Sequence, residues 1–144
     1  MQFFARRDAN GKYIHPNLYS GRIRSARSSE QAFEKFNYYH VEMFIALPGK
    51  QKELLKQREM ENVYLKEIDR DPNFIFTRLA GSVWDIFTIG CYRDIKHFAE
   101  SADIPADAEE KAALKAGFKG ANFIGSYLRE LIAEHHDTLA GAVR

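Results

Sequence analysis

Residues 73–92 read NFIFTRLAGSVWDIFTIGCY. Two runs rich in Ile, Phe, Thr and other aromatics are separated by the small-residue stretch Ala80-Gly81-Ser82-Val83. Aromatic and β-branched side chains suit a pleated surface, and glycine relaxes a turn, so the stretch predicts a β-hairpin. A third strand-like run, Tyr38–Leu47, precedes it. A long helical pattern lies between, and the order of these pieces decides the fold.

The chain has 144 residues, enough for one domain that buries roughly 68–70% of its unfolded surface without disulfides or metals. Eleven Phe and seven Tyr supply material for a large core or an apolar pocket. A formal charge of +1 argues against a strongly basic nucleic-acid binder. That charge is uneven: residues 1–37 carry seven Lys/Arg against three Asp/Glu, and the remainder carries 14 against 17. Cys91 is the single cysteine, so no intrachain disulfide is available. No apolar run approaches the roughly 20 residues that span a bilayer, and MQFFARRDANGK lacks the apolar centre of a signal peptide. The expectation is a soluble, cytoplasmic protein with neither membrane nor nucleic-acid partner; an export signal trimmed from this sequence would leave no trace in it.

Along the chain, Gln2–Arg6 and Lys12–His15 flank the turn formers Asp8-Ala9-Asn10-Gly11 and predict a small hairpin. Residues 16–29, with Pro16, Gly21, Arg22, Arg24 and Arg27, read as an arm or linker. Ser28 followed by Gln31 resembles a capping box for a short helix through Phe36. Tyr38–Leu47 alternates: Tyr38, His40, Glu42, Phe44 and Ala46 share one face, and Tyr39, Val41, Met43, Ile45 and Leu47 share the other. The second face is uniformly apolar, whereas the first carries two ionisable groups. Pro48-Gly49 then opens a helix to about Asp69 whose buried stripe is centred on Leu54, Leu65 and Ile68. Arg58, Glu61 and Asn62 fall inside that stripe, where unpaired charge is costly. Asp71-Pro72 breaks the helix.

Beyond Tyr92, a short helix is expected around Ile95, Phe98 and Ala99, then another from Asp107 to about Ala116. The strongest helical periodicity in the chain is Phe123, Ile124, Tyr127, Leu128, Leu131 and Ile132, with His135 extending the stripe. On this reading His135-His136 ends a helix, and Thr138–Val143 forms a last short strand.

From Tyr38 onward the order is β, α, β, β, a helical block, then β. A right-handed crossover sets the first strand beside the third, giving an α+β fold with a four-stranded antiparallel sheet and helices on one face, the ferredoxin-like βαββαβ arrangement. The first strand ending in Leu47-Pro48-Gly49-Lys50, followed directly by an amphipathic helix, resembles the dimeric α/β-barrel superfamily. Its members include cofactor-free monooxygenases of the antibiotic-biosynthesis type, stress-responsive A/B-barrel proteins, muconolactone isomerases and haem-dependent relatives. The resemblance covers residues 38–144 as an α/β-barrel domain. Residues 1–37, the N-terminal hairpin and arm, and the extra helix around 106–136 depart from the compact pattern. It implies a homodimer in which two sheets pack face to face. The apolar face agrees, since burying Val41, Met43, Ile45 and Leu47 is worth on the order of 6–12 kcal/mol.

The resemblance also implies a ligand cavity between sheet and helices, where His40, Glu42 and Phe44 would meet Arg58, Glu61 and Asn62. It suggests monooxygenase or isomerase/lyase chemistry on a small apolar or aromatic molecule. His40 would be the base, Arg58 would hold an oxyanion or carboxylate, and Glu42 or Glu61 would orient them; Phe76 and Trp84 would supply a wall. Two bland alternatives stand beside this: an internal ion network built on Arg58, and a non-catalytic dimerisation or interaction module without a ligand. His40-x-Glu42 sets two potential metal ligands about 7 Å apart along one strand. A third would have to come from Glu61 or His97, and the spacing is too weak to assign a metal. No phosphate loop, nucleophile elbow or zinc-type Cys/His spacing occurs, so no cofactor is expected. Asp85 and Arg78 are placed to pair across the hairpin, and Cys91 reads as a buried, inert thiol.

Overall fold

The structure is a computed structural model that describes residues 6–7, 13–14, 18–21 and 33–143. Two short strands, β1 (Arg6–Arg7) and β2 (Tyr13–Ile14), pair antiparallel, within the predicted N-terminal hairpin; the turn between them lies outside the described residues. So do Arg22, Arg24, Arg27 and the Ser28/Gln31 box, although residues 33–35 are helical. The stretch read as a linker contributes a strand instead. β3 (Leu18–Gly21) pairs antiparallel with β5 (Phe74–Ala80), occupying backbone groups along that strand's outer edge.

β4 (Tyr38–Ala46) leads into α1 (Gln51–Glu67), then β5 and β6 (Ile86–Tyr92). α2 (Ile95–Ala99) runs into a 3₁₀ turn at Glu100–Asp103, followed by α3 (Ala106–Lys115), α4 (Phe123–Arg129) and β7 (Ile132–Gly141). The sheet order is β3-β5-β6-β4-β7, and every pair is antiparallel. The fold is therefore α+β, and β4 lies beside β6, as the crossover argument requires. The hairpin turn carries Gly81 at φ 87, a conformation that a side chain would strain. α1 ends where Asp69 takes φ 59 and Arg70 N–H returns to the Leu65 carbonyl at 2.8 Å, a left-handed C-terminal closure just ahead of Pro72.

One sheet face carries the core. Phe44 and Ala46 from β4 and Ile86 from β6 pack under Leu54 of α1 and Leu128 of α4, with Leu131 beside them. A second cluster, Ala113, Ala116 and Phe118, joins α3 to Met60 and Tyr64 on the far side of α1. The other face presents Val41, Met43, Ile45, Phe74, Phe76, Phe87 and Ile89, all partly buried, with the Phe76 and Phe87 rings stacked at 4.5 Å. Phe33 lies over one end of it, 6.1 Å from the Phe74 ring and 5.5 Å from Tyr39.

The C-terminal region corrects the sequence reading. The helix expected to run to His135 stops at Arg129, and the final strand is longer and earlier than Thr138–Val143. β7 pairs with β4 along its whole length, from Ile132 opposite Ala46 to Gly141 opposite Tyr38. Satisfying the backbone groups of β4 outweighs the local helical periodicity of Leu128, Leu131, Ile132 and His135.

Candidate functional site

Directly opposed residues of an antiparallel pair point to the same face. The register sets Phe44 opposite His135 and Glu42 opposite Asp137 on one side, and Glu42 opposite Thr88 on the other. His40, Glu42, Thr88, His135 and Asp137 therefore share the helix-facing side, and Arg58 and Glu61 of α1 lie above them.

The inner half of this cluster is an ion network. Arg58 is 3% exposed and donates from Nε to Gln57 Oε1 at 2.7 Å, from Nη1 to Glu42 Oε2 at 3.3 Å, and from Nη2 to Glu61 Oε2. Its guanidinium carbon also lies 4.9 Å from the centre of the Phe44 ring. Thr88 Oγ1 donates to the same Glu42 Oε2 at 2.9 Å. Burial raises the Glu61 pKa above the usual carboxylate range; Arg58 opposes the rise and Glu42 adds to it. The space expected to form a ligand cavity beneath α1 is occupied by Phe44, Gln57 and Arg58, each at most 3% exposed.

The outer half is accessible. His40 Nε2 lies 3.2 Å from Asp137 Oδ1, and His135 Nε2 lies 3.1 Å from the same oxygen and 3.7 Å from Glu42 Oε1. Side-chain exposure rises outward, from 10% at Glu42 to 22% at His40, 30% at His135 and 53% at Asp137. Each imidazole rests on an aromatic ring: His135 stacks on Phe44 at 4.7 Å, and His40 meets the edge of Phe98 at 5.4 Å. Donor atoms of His40, Glu42 and Asp137 all lie within 4.8 Å of one another, close enough to share a metal ion.

The remaining sequence candidates sit elsewhere. Asn62 closes a reciprocal pair with the backbone of Asn73, donating to its carbonyl and accepting from its N–H, both at 2.8 Å, which ties α1 to the start of β5. Phe76 faces the opposite side of the sheet, two positions from Phe74 and directly across from Phe87. Trp84 tilts toward His136 at 6.2 Å, and His136 pairs with Met43 on that same opposite side. His97 stacks on Phe36 and accepts from the Arg93 N–H, away from the cluster.

No protein-family model matches the chain, and neither does any curated protein or solved structure. Chemistry must therefore be read from the residues themselves.

Arg78 pairs with Asp85 at 2.6 Å as the hairpin reading expects, and Asp85 also accepts the Ala46 N–H at 2.9 Å, so the pair pins the end of β4. Burial pushes the Cys91 thiol up to about 11, leaving it protonated at neutral pH. A separate polar groove of about 450 Å³, lined by Lys35, Lys66, Arg70, Arg93 and His97 among others, opens beyond the far end of α1. The residues missed by sequence reasoning are His135 and Asp137, together with the buried Gln57 and Thr88. The signal in the sequence is His40-x-Glu42 on one strand and His135-x-Asp137 on another, the second obscured by the helical stripe that extends to His135.

Proposed function

We propose that this protein is a homodimeric, ferredoxin-like α/β-barrel protein that binds a small, largely apolar or aromatic molecule through a polar group held at the outer cluster. What carries the proposal is the convergence of His40, Glu42, His135 and Asp137 at an accessible edge of the sheet–helix layer. The strand sequence β5-β6-β4-β7, with α1 crossing from β4 to β5 over the intervening β6, supports the ferredoxin-like reading. The apolar patch of β4, β5 and β6 opposite the helices supports the homodimer.

Two imidazoles and two carboxylates can accept a proton from an activated carbon acid and hold the oxygen on which charge develops. That is the chemistry of isomerase/lyase or monooxygenase action. Arg58 takes a different part from the one sequence suggested. Its donors are engaged by Gln57, Glu42 and Glu61, so it fixes Glu42 in place and does not reach for ligand. Phe44 and Phe98 supply the aromatic wall in place of Phe76 and Trp84.

Native mass spectrometry of freshly purified wild type and His40→Ala protein tests this. Expected is a dimer in both, with a small organic mass bound to wild type and absent from the variant. A monomer overturns the assembly. A dimer without any bound mass in either protein favours the non-catalytic interaction module, which the filled space beneath α1 also suits.

A further inference from the structure

We infer that His40, Glu42 and Asp137 bind a divalent first-row transition metal ion of the Zn²⁺, Mn²⁺ or Fe²⁺ class, with the His135 imidazole paired to Asp137 beside them. The inference rests on the same cluster as the proposed function and deepens it, naming the group that would hold the ligand's oxygen.

One ligand atom from each of His40, Glu42 and Asp137 lies within 4.8 Å of the other two, within reach of one ion. Metal bonds to imidazole nitrogen and carboxylate oxygen run about 2.0–2.2 Å, so donors at tetrahedral or octahedral angles lie about 3.0–3.4 Å apart. The separations across the cluster are 3.2 Å (His40 Nε2 to Asp137 Oδ1), 3.1 Å (His135 Nε2 to Asp137 Oδ1) and 3.7 Å (His135 Nε2 to Glu42 Oε1). The His40–Asp137 separation thus has the edge length of a coordination polyhedron, and His135 Nε2 is paired to the same Asp137 oxygen from the other side of the group.

Glu42 provides an independent observation. Its Oε2 accepts from Thr88 Oγ1 and Arg58 Nη1, which fixes the carboxylate plane. Its Oε1 is directed into the cluster, and the nearest imidazole nitrogen, at 3.7 Å, is beyond hydrogen-bonding distance. A ligating carboxylate is held in this way, with one oxygen fixed by outer partners and the other presented to the metal.

Glu42 and Asp137 bring two carboxylates to the cluster, and the one guanidinium nearby, Arg58, is shared between Glu42 and Glu61, so a divalent cation has negative charge to meet. The mixed nitrogen and oxygen donor set suits borderline transition ions better than the hard cations Ca²⁺ and Mg²⁺. The half-exposed Asp137 leaves the outer side open to water or substrate oxygen, as in catalytic metal sites. Bound there, the metal would act as a Lewis acid on that oxygen.

The test uses tag-free full-length protein, dialysed against chelator and titrated with Zn²⁺ and with Co²⁺. Expected are one ion per chain by calorimetry and elemental analysis, visible Co²⁺ bands of low-symmetry coordination, and a raised Tm on metal addition. His40→Ala and Asp137→Asn each abolish stoichiometric binding. Asp137→Asn lies on a half-exposed edge strand and serves if His40→Ala fails to fold. Thr88→Val, which removes one of the two donors to Glu42 Oε2, weakens binding about ten- to a hundredfold. Absence of stoichiometric binding by wild type, or binding undiminished in folded Asp137→Asn, overturns the metal site. Where the metal site falls on either count, an organic mass bound to metal-free wild type but not to metal-free His40→Ala still leaves the proposed function standing.

Discussion

Arg58 governs the buried half of the cluster. It is nearly solvent-free and its donors meet Gln57, Glu42 and Glu61, so its removal leaves two carboxylates without a counter-charge beneath α1. Breaking a buried ion pair from one side costs about 3–5 kcal/mol, because the remaining charge stays desolvated. Arg58→Met keeps much of the side-chain volume and should lose about that much in urea denaturation at neutral pH; a loss below about 1 kcal/mol would mean that the network is hydrated. Glu61→Gln behaves oppositely in its pH response. Because burial holds the folded pKa of Glu61 above the ordinary 4.5, its stabilising contribution is present below 4.5 and is lost as pH rises through the folded value. Metal-free wild type should therefore lose stability across the interval above 4.5, and Glu61→Gln should show a shallower slope there.

Among the elements, β6 contains a position where any side chain would crowd its neighbours. Gly90 lies opposite His40, and a Cβ there would meet Asn73 Oδ1 at 2.8 Å, Tyr92 Oη at 2.9 Å and Tyr92 Cε2 at 3.0 Å. The Tyr92 ring stands edge-on to Phe98 at 5.1 Å, and Phe98 in turn contacts His40. Gly90→Ala should thus destabilise by about 1–3 kcal/mol and shift the His40 ring resonances in NMR spectra; a variant of parental stability with an unmoved His40 signal would contradict this packing chain. How much could be read in advance differs by element. β4, α1 and the hairpin were legible because each has a clear hydrophobic period and a Gly or Pro at its boundary. His40, Glu42, Arg58 and Glu61 were legible as a group because charges inside apolar patterns stand out. β7 was not. It is an edge strand with Glu134, His136 and Thr138 on one face and His135 and Asp137 on the other, so no two-residue hydrophobic alternation marks it, and a helical stripe runs across its start. Losing β7 also hid half of the site.

At the scale of the molecule, the asymmetry of the sheet demands an explanation. α1 and α4 cover the face of Phe44, Ala46 and Ile86, while the other face carries Val41, Met43 and Ile45 of β4 beside Phe87 and Ile89 of β6 and Phe74 and Phe76 of β5. Under the proposed assembly two such faces stacked about 10 Å apart would form a shared core. Val41 is central, with Ile89 on one side and Thr138 on the other. Val41→Lys places a charge in the middle of that core without touching the helix side. The proposed assembly predicts a wild-type dimer and a folded Val41→Lys monomer, read by light scattering after size-exclusion chromatography alongside circular dichroism. A wild-type monomer would refute the dimer. Unfolding of Val41→Lys in a protein whose wild type is monomeric would instead mean that the face is covered within one chain.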